Sequence, residues 1–297
     1  MTSTRKARPA SRWMGLLGAV LAAAPGCAQA QILDLVYERT VMTVADERCR
    51  LFTPEVAAAL AAAQVQARGA ARRGGVAPDA LRSVEERARA SASAADCASP
   101  DLAAAAGRVR NAFAGYARTQ RIDYPGEVAD WRADRTGLGV IRWRLAQDVR
   151  FGPDRMTFGL AGRQTPGVLI AVAQFVDGQA PYSARLLMRD GARSIGPYLD
   201  GGSGQGLPLA RRLPPRSALR IYAAEARSTA GSDLLPKDAK TGWAFRFPAQ
   251  AAFELASLDP REAIAIEYLF PGDVVRRAYV EVGDFAAGRA FLGLASR

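Results

Sequence analysis

Near residue 137 the apolar side chains change from one spacing to another, and a chain that does this once, in this order, is confined to few folds. Over 31–120 they follow a helical period: Leu33, Val36, Tyr37, Val41 and Val44 recur roughly every 3.6 residues. From Gly137 the period is two. Ile141, Trp143 and Leu145 alternate with Arg142 and Arg144, Trp243, Phe245 and Phe247 with Ala244 and Arg246, and Ile264, Ile266 and Tyr268 with Ala265 and Glu267, while Ala278, Val280 and Val282 close the series. Helices first and strands second predict the α+β class rather than alternating βαβ units.

Punctuation fixes the elements within each half. Thr53-Pro54-Glu55, Pro78-Asp79 and Ser99-Pro100-Asp101 read as helix starts. A hydroxyl there caps free N–H groups, proline fits the first turn, and an acid suits the positive end of the dipole. Gly74-Gly75 stops the helix begun at Pro54. The alanine runs at 57–63 and 103–106 combine high helix propensity with small side chains that permit close packing. Asp177-Gly178, Asp190-Gly191, Asp259-Pro260-Arg261 and Pro271-Gly272-Asp273 separate about eight short strands. These predict an antiparallel sandwich or partly open barrel, followed by a short C-terminal helix capped by Asp284 and carrying Phe285, Phe291 and Leu292. The expected organisation is a targeting segment over 1–30, an Ala-rich helical domain over 31–120, a polar connector over 121–136 and a β-rich domain over 137–297.

The targeting reading rests on Arg5, Lys6, Arg8 and Arg12, the apolar run Trp13–Ala24, the break at Pro25-Gly26 and the small-x-small pattern Ala28-Gln29-Ala30. The run is shorter than the ~20 residues a membrane helix needs, so cleavage after Ala30 leaves no transmembrane segment and places the product in the periplasm or the medium. Acylation of Cys27 as a lipoprotein is the minor alternative. Of three cysteines, Cys49 and Cys97 then remain, and a pair in an oxidising compartment predicts a disulfide. It would clip a four-helix bundle between the loops preceding its second and fourth helices.

Composition sets the limits on chemistry. The chain has no histidine, which removes Ser-His-Asp and Cys-His catalysis and the usual His-containing zinc sites. No cofactor motif is present and none is expected, nor is a metal site. Without 1–30 the chain carries 36 basic against 29 acidic residues, and the excess lies in the β half. It gathers at Arg185, Arg189, Arg193, Arg211, Arg212, Arg216 and Arg220, around the Gly-rich stretch Gly201–Gly206 with Ser203. Cations beside a glycine loop suit phosphate, carboxylate or sulfate groups, although the plainer reading is a hairpin loop beside solvated arginines on outer strand faces. The expected function is therefore non-enzymatic: an envelope protein whose basic β surface meets an anionic envelope polymer, a lipid headgroup or a protein partner, with no physiological nucleic acid.

Two other readings compete with it. A carboxylate-dependent glycan hydrolase or lyase of the envelope needs no histidine, and Glu225, Glu254, Glu267 and Glu281 are its candidates on predicted strands. A Ser203 dyad with Lys237 or Lys240 needs a desolvated lysine, which the polar turn 236–240 does not promise. Both of those are enzyme readings; in the other, non-enzymatic one, the apolar faces of 31–120 dock a partner. Trp143, Trp243, Phe245 and Phe247 are expected in the core rather than as a sugar platform.

Overall fold

A computed structural model describes residues 25–137, 139–163, 167–199 and 204–293. Four helices come first: α1 (Pro25–Cys49), α2 (Pro54–Arg73), α3 (Pro78–Ala94) and α4 (Pro100–Arg118). The last three begin at the prolines expected to start them, after extended residues Thr53, Ala77 and Ser99. The hydroxyls of Thr53 and Ser99 make no capping bond, contrary to expectation. Their carbonyls instead accept the first helical bonds, from Ala57 and Ala103. α2 ends where Gly75 takes φ +79°, which lets the Val76 N–H return to the Ala71 carbonyl at 3.0 Å. Most of the expected targeting segment, 1–24, lies outside the described residues, and α1 runs through the expected cleavage point.

The alanine run makes α2 the central helix. Ala59, Ala62, Ala63, Ala67 and Ala71 are buried along it, letting α1, α4 and the C-terminal helix approach. Cys49, at the end of α1, is bonded to Cys97, between α3 and α4, with Cα atoms 5.5 Å apart. Beside it the Arg48 guanidinium donates to the Ala92, Ser93 and Ala95 carbonyls at 2.7, 2.6 and 3.2 Å, so one residue caps the end of α3 while its neighbour is covalently tied to the next turn.

Eleven strands follow among the described residues: β1 (Arg121–Tyr124), β2 (Trp131–Asp134), β3 (Arg142–Phe151), β4 (Asp154–Gly162), β5 (Val168–Gln174), β6 (Ser183–Arg189), β7 (Leu219–Ala223), β8 (Ala226–Thr229), β9 (Trp243–Arg246), β10 (Ala263–Leu269) and β11 (Val275–Glu281). They form two antiparallel sheets, ordered β1-β2-β3-β4-β5-β9-β8 and β11-β10-β6-β7. The chain passes from the smaller to the larger sheet between Ala224, bonded to Ala184, and Glu225, bonded to Arg246. One side of the sandwich is thus joined by a two-residue corner. Helix α5 (Ala249–Ser257) packs against β5, and α6 (Phe285–Phe291) ends the fold.

Three expectations are corrected here. The stretch 121–136 is not a connector but holds β1 and β2, which exist because Tyr124 and Trp131 bury their rings in the main core. Residues 249–257 are helical, so Glu254 sits on α5; Glu225 lies in the corner between β7 and β8, and neither is on a strand. Phe245 and Phe247 are buried as expected, but Trp143 and Trp243 lie half-buried at the rim, Trp243 beneath the Arg227 guanidinium at 3.7 Å.

The two halves share a packed junction. Arg73 of α2 donates to both Asp284 carboxylate oxygens at 2.8 Å, so Asp284 holds the bundle rather than capping α6 with its side chain. Arg135 lies 4.3 Å over Phe291 and donates to the Thr119 and Tyr116 carbonyls at the end of α4.

The register of β3 against β4 shifts between Trp143 and Leu145, leaving Arg144 as the extra residue, its guanidinium turned to the Thr136 and Gly162 carbonyls. Gly159 faces this bulge at φ +151°, and a Cβ there would stand 1.9 Å from the Leu145 carbonyl oxygen. Gly159→Ala should therefore cost about 3 kcal/mol or more, since both the conformation and the space exclude a side chain. Urea unfolding measures it, and a loss under about 1 kcal/mol would show that the bulge relaxes freely.

Candidate functional site

The arginines expected to gather anions are largely neutralised from within. Arg189 is buried and meets both oxygens of Glu262, at 2.8 and 2.9 Å. Arg185, on β6, reaches Glu267 of β10 at 2.9 Å; the two stand opposite in register, and Arg277 of β11 flanks Glu267 on the other side. Arg220 bridges Asp190 at 3.0 Å and Glu254 at 2.6 Å, and Arg193 lies 3.4 Å from the same Asp190. The Ala192 N–H, then Arg220 and Arg193, hold the Asp190 carboxyl below its ordinary range against the opposing effect of burial.

Arg212 is fully buried and donates to Glu127 at 2.8 Å and to the Leu207 carbonyl at 2.9 Å. Glu127 also accepts the Gly206 N–H at 2.7 Å. Burial raises the Glu127 pKa, but these two donors outweigh it and leave the carboxyl below its usual value. The described part of the glycine loop thus holds a carboxylate belonging to the chain itself. Arg211 and Arg216 are exposed on a turn outside the smaller sheet, and Ser203 lies outside the described residues.

The candidate catalytic carboxylates are likewise engaged. Glu254 accepts from Arg220 and Gln250, Glu267 lies between two arginines, and exposed Glu225 is 3.7 Å from Arg246. Buried Glu281 accepts the N–H groups of Glu127, Val128 and Ala129 at 3.0, 2.8 and 3.4 Å. In the helical half, a groove of about 470 Å3 between α1 and α4 is lined by Leu35, Val41, Met42, Val109 and Phe113.

A cleft of about 780 Å3 opens where the sandwich is not joined. β2 pairs with β3 only at Arg132/Ala146 and Ala133/Leu145, so β3 from Gln147 to Phe151 has no strand on that side. Facing it is β11, the edge of the smaller sheet. Gln147 ties the two strands at one end: its amide nitrogen donates to the Glu281 carbonyl at 3.3 Å, and its oxygen accepts the Glu281 N–H at 3.0 Å. Beyond this clamp the strands leave a space floored by Val149, Phe151 and Met156 and walled by Arg277 and Tyr279 of β11. The segments 208–210 and 236–238 close its sides.

Charge around this cleft is predominantly positive. Arg150, Arg155, Lys237 and Arg277 line it against Asp148 and Asp238. Arg155 pairs with Asp238 at 3.5 Å, and Asp148 accepts from Arg132 and Thr157 at 2.9 and 2.7 Å. Arg150 and Lys237 are exposed and form no ion pair among the described residues. The Asp148 and Asp238 side chains are 45% and 69% exposed.

Sequence reading missed this site. Lys237 was visible as part of a polar turn and as a candidate partner of Ser203, not as a member of this cleft, and the two-residue Gly152-Pro153 link between Phe151 and Asp154 was the one local mark of the β3–β4 hairpin that forms the floor. No helix among the described residues is long and apolar enough to cross a membrane. Comparison of the chain with protein-family models, with curated proteins and with solved structures finds no match.

Proposed function

We propose that this chain is a non-enzymatic binding protein of an oxidising compartment outside the cytoplasm, periplasmic or secreted, and that the cleft between β3 and β11 holds an acidic partner. The observation that carries this reading is the cleft's construction: an apolar floor with Arg150 and Lys237 beside it, both without an ion pair among the described residues. Apolar contact with a few placed charges is the usual make-up of a ligand site. The Cys49–Cys97 bond supports the compartment. Ion pairing of Arg185, Arg189, Arg193, Arg212 and Arg220 favours the cleft over the outer arginine surface as the anion site.

The test is co-sedimentation of the exported protein with purified sacculi and with anionic and neutral vesicles, beside fluorescence titration with polyglutamate, across a salt series. Arg150→Glu/Lys237→Glu should weaken the binding that occurs by roughly tenfold at low salt, an effect shrinking as salt rises. Arg211→Glu/Arg216→Glu should leave it nearly unchanged. The reverse ranking returns the site to the outer surface near the glycine loop. Absence of binding to every probe at low salt rejects anion recognition altogether.

A further inference from the structure

We infer that the acidic partner is an extended polypeptide segment that adds to β11 as a new edge strand, an inference that rests on the cleft being the binding site. The hydrogen-bond phase of β11 carries it. Val282 donates to Glu262 and Val274 accepts from Phe270, so even-numbered residues bond towards β10. Glu281 bonds in the opposite direction, to Gln147. Alternation along an antiparallel strand then turns the N–H and C=O of Tyr279, Arg277 and Val275 to the same edge as Glu281, those of Tyr279 and Arg277 along the cleft and those of Val275 just past its end. No partner for these groups occurs among the described residues. Gln147 supplies one rung of a missing strand and the next three rungs are vacant.

The vacancy has the dimensions and chemistry of a strand. Three alternate residues span about 14 Å, the reach of a segment of about five residues. Side chains on one face of such a segment would meet Val149, Phe151 and Met156, completing the apolar layer at the open side of the sandwich. Those on the other face would stand beside Tyr279 and Arg277, the latter already paired with Glu267, with Arg150 and Lys237 at the rim to meet acidic groups. The fitting sequence therefore alternates apolar and acidic residues. Main-chain bonds give such strand addition its affinity, and alternate side chains give it selectivity. A lipid headgroup or an acidic glycan satisfies the charges but offers no matching series of N–H and C=O groups.

The experiment uses the exported protein with its disulfide intact and a labelled peptide alternating valine and glutamate, read by fluorescence anisotropy. The peptide is compared with two versions N-methylated at alternate residues in one frame or the other, which keep the charge but delete the donors of one edge. Saturable binding, weakened at least tenfold by N-methylation in one frame, is expected; loss in both frames means that the segment pairs with β3 as well. Tyr279→Pro, which removes one cleft-facing N–H at an edge position that tolerates proline, should weaken the unmodified peptide similarly. Equal binding of all three peptides, undiminished by Tyr279→Pro, overturns strand addition but leaves the cleft as a charge-reading site. So does binding of polyglutamate alone. Failure of every acidic probe defeats strand addition and the cleft reading together.

Discussion

Arg189→Met should destabilise the protein by about 3–5 kcal/mol, the cost of leaving a buried charge without its partner. Glu262 is wholly buried, and Arg189 contacts both its oxygens. The remaining partner of Glu262 is the Asp259 N–H at 2.9 Å, and Arg189 itself also serves the Ser194 carbonyl at 3.1 Å. Burial opposes the Arg189 charge, yet the Glu262 pair outweighs it and holds the guanidinium pKa above its ordinary value. The double variant Arg189→Met/Glu262→Gln keeps an acceptor for Asp259 and removes the charge, and should recover more than half of the loss. Urea unfolding of the two singles and the double closes the cycle. A single variant within about 1 kcal/mol of the parent would mean that water reaches Glu262. Affinity of the folded fraction for acidic probes should not change, because this arginine belongs to the fold and not to the cleft.

That contrast marks how far the sequence could be read. Helix starts were legible because their determinants are local: Pro54, Pro78 and Pro100 each open a helix where a short motif placed them. The change of period likewise put the helices before the strands, and the helix starts at Pro54 and Pro100 put Cys49 and Cys97 just upstream of the second and fourth helices. The strands at 121–124 and 131–134 were hidden because each has four residues and Pro125-Gly126 intervenes, so alternation had no length in which to show. Arginine pairing was hidden for a different reason. Between 185 and 220 only Asp190 and Asp200 oppose the cations, but the actual partners lie far along the chain: Glu262 is 73 residues from Arg189, and Glu127 is 85 from Arg212. Cross-strand register brings them together, and no window of sequence contains it. The cleft was least legible of all, since it is made by where pairing stops: β2 ends opposite Ala146 and β11 has no further neighbour.

Removal of the disulfide should act on one half of the molecule. Cys49 and Cys97 are 48 residues apart, and closing a loop of that length restricts the unfolded chain by about 4 kcal/mol in the loop-entropy account. All of that loop lies in the helical half, between the end of α1 and the turn before α4. The β half has its own core, around Trp131, Phe158, Phe245 and Tyr268, and meets the bundle through α2, α4 and α6. Cys49→Ser/Cys97→Ser should therefore lose most amide protection in α1 and α3, with less loss in α2, which Arg73 and Asp284 still anchor. Protection of β4, β5 and β10 should persist, and so should binding in the cleft. Hydrogen exchange by mass spectrometry separates these segments directly. Arg48 gives the internal check: its three bonds to the end of α3 depend on the same docking of α1. Arg48→Ala on the oxidised protein should loosen only the last turn of α3, while on the serine variant it should release α1 as a whole. Equal loss of protection in strands and helices would show instead that the two halves unfold as one cooperative unit, stabilised through the α2–α6 junction.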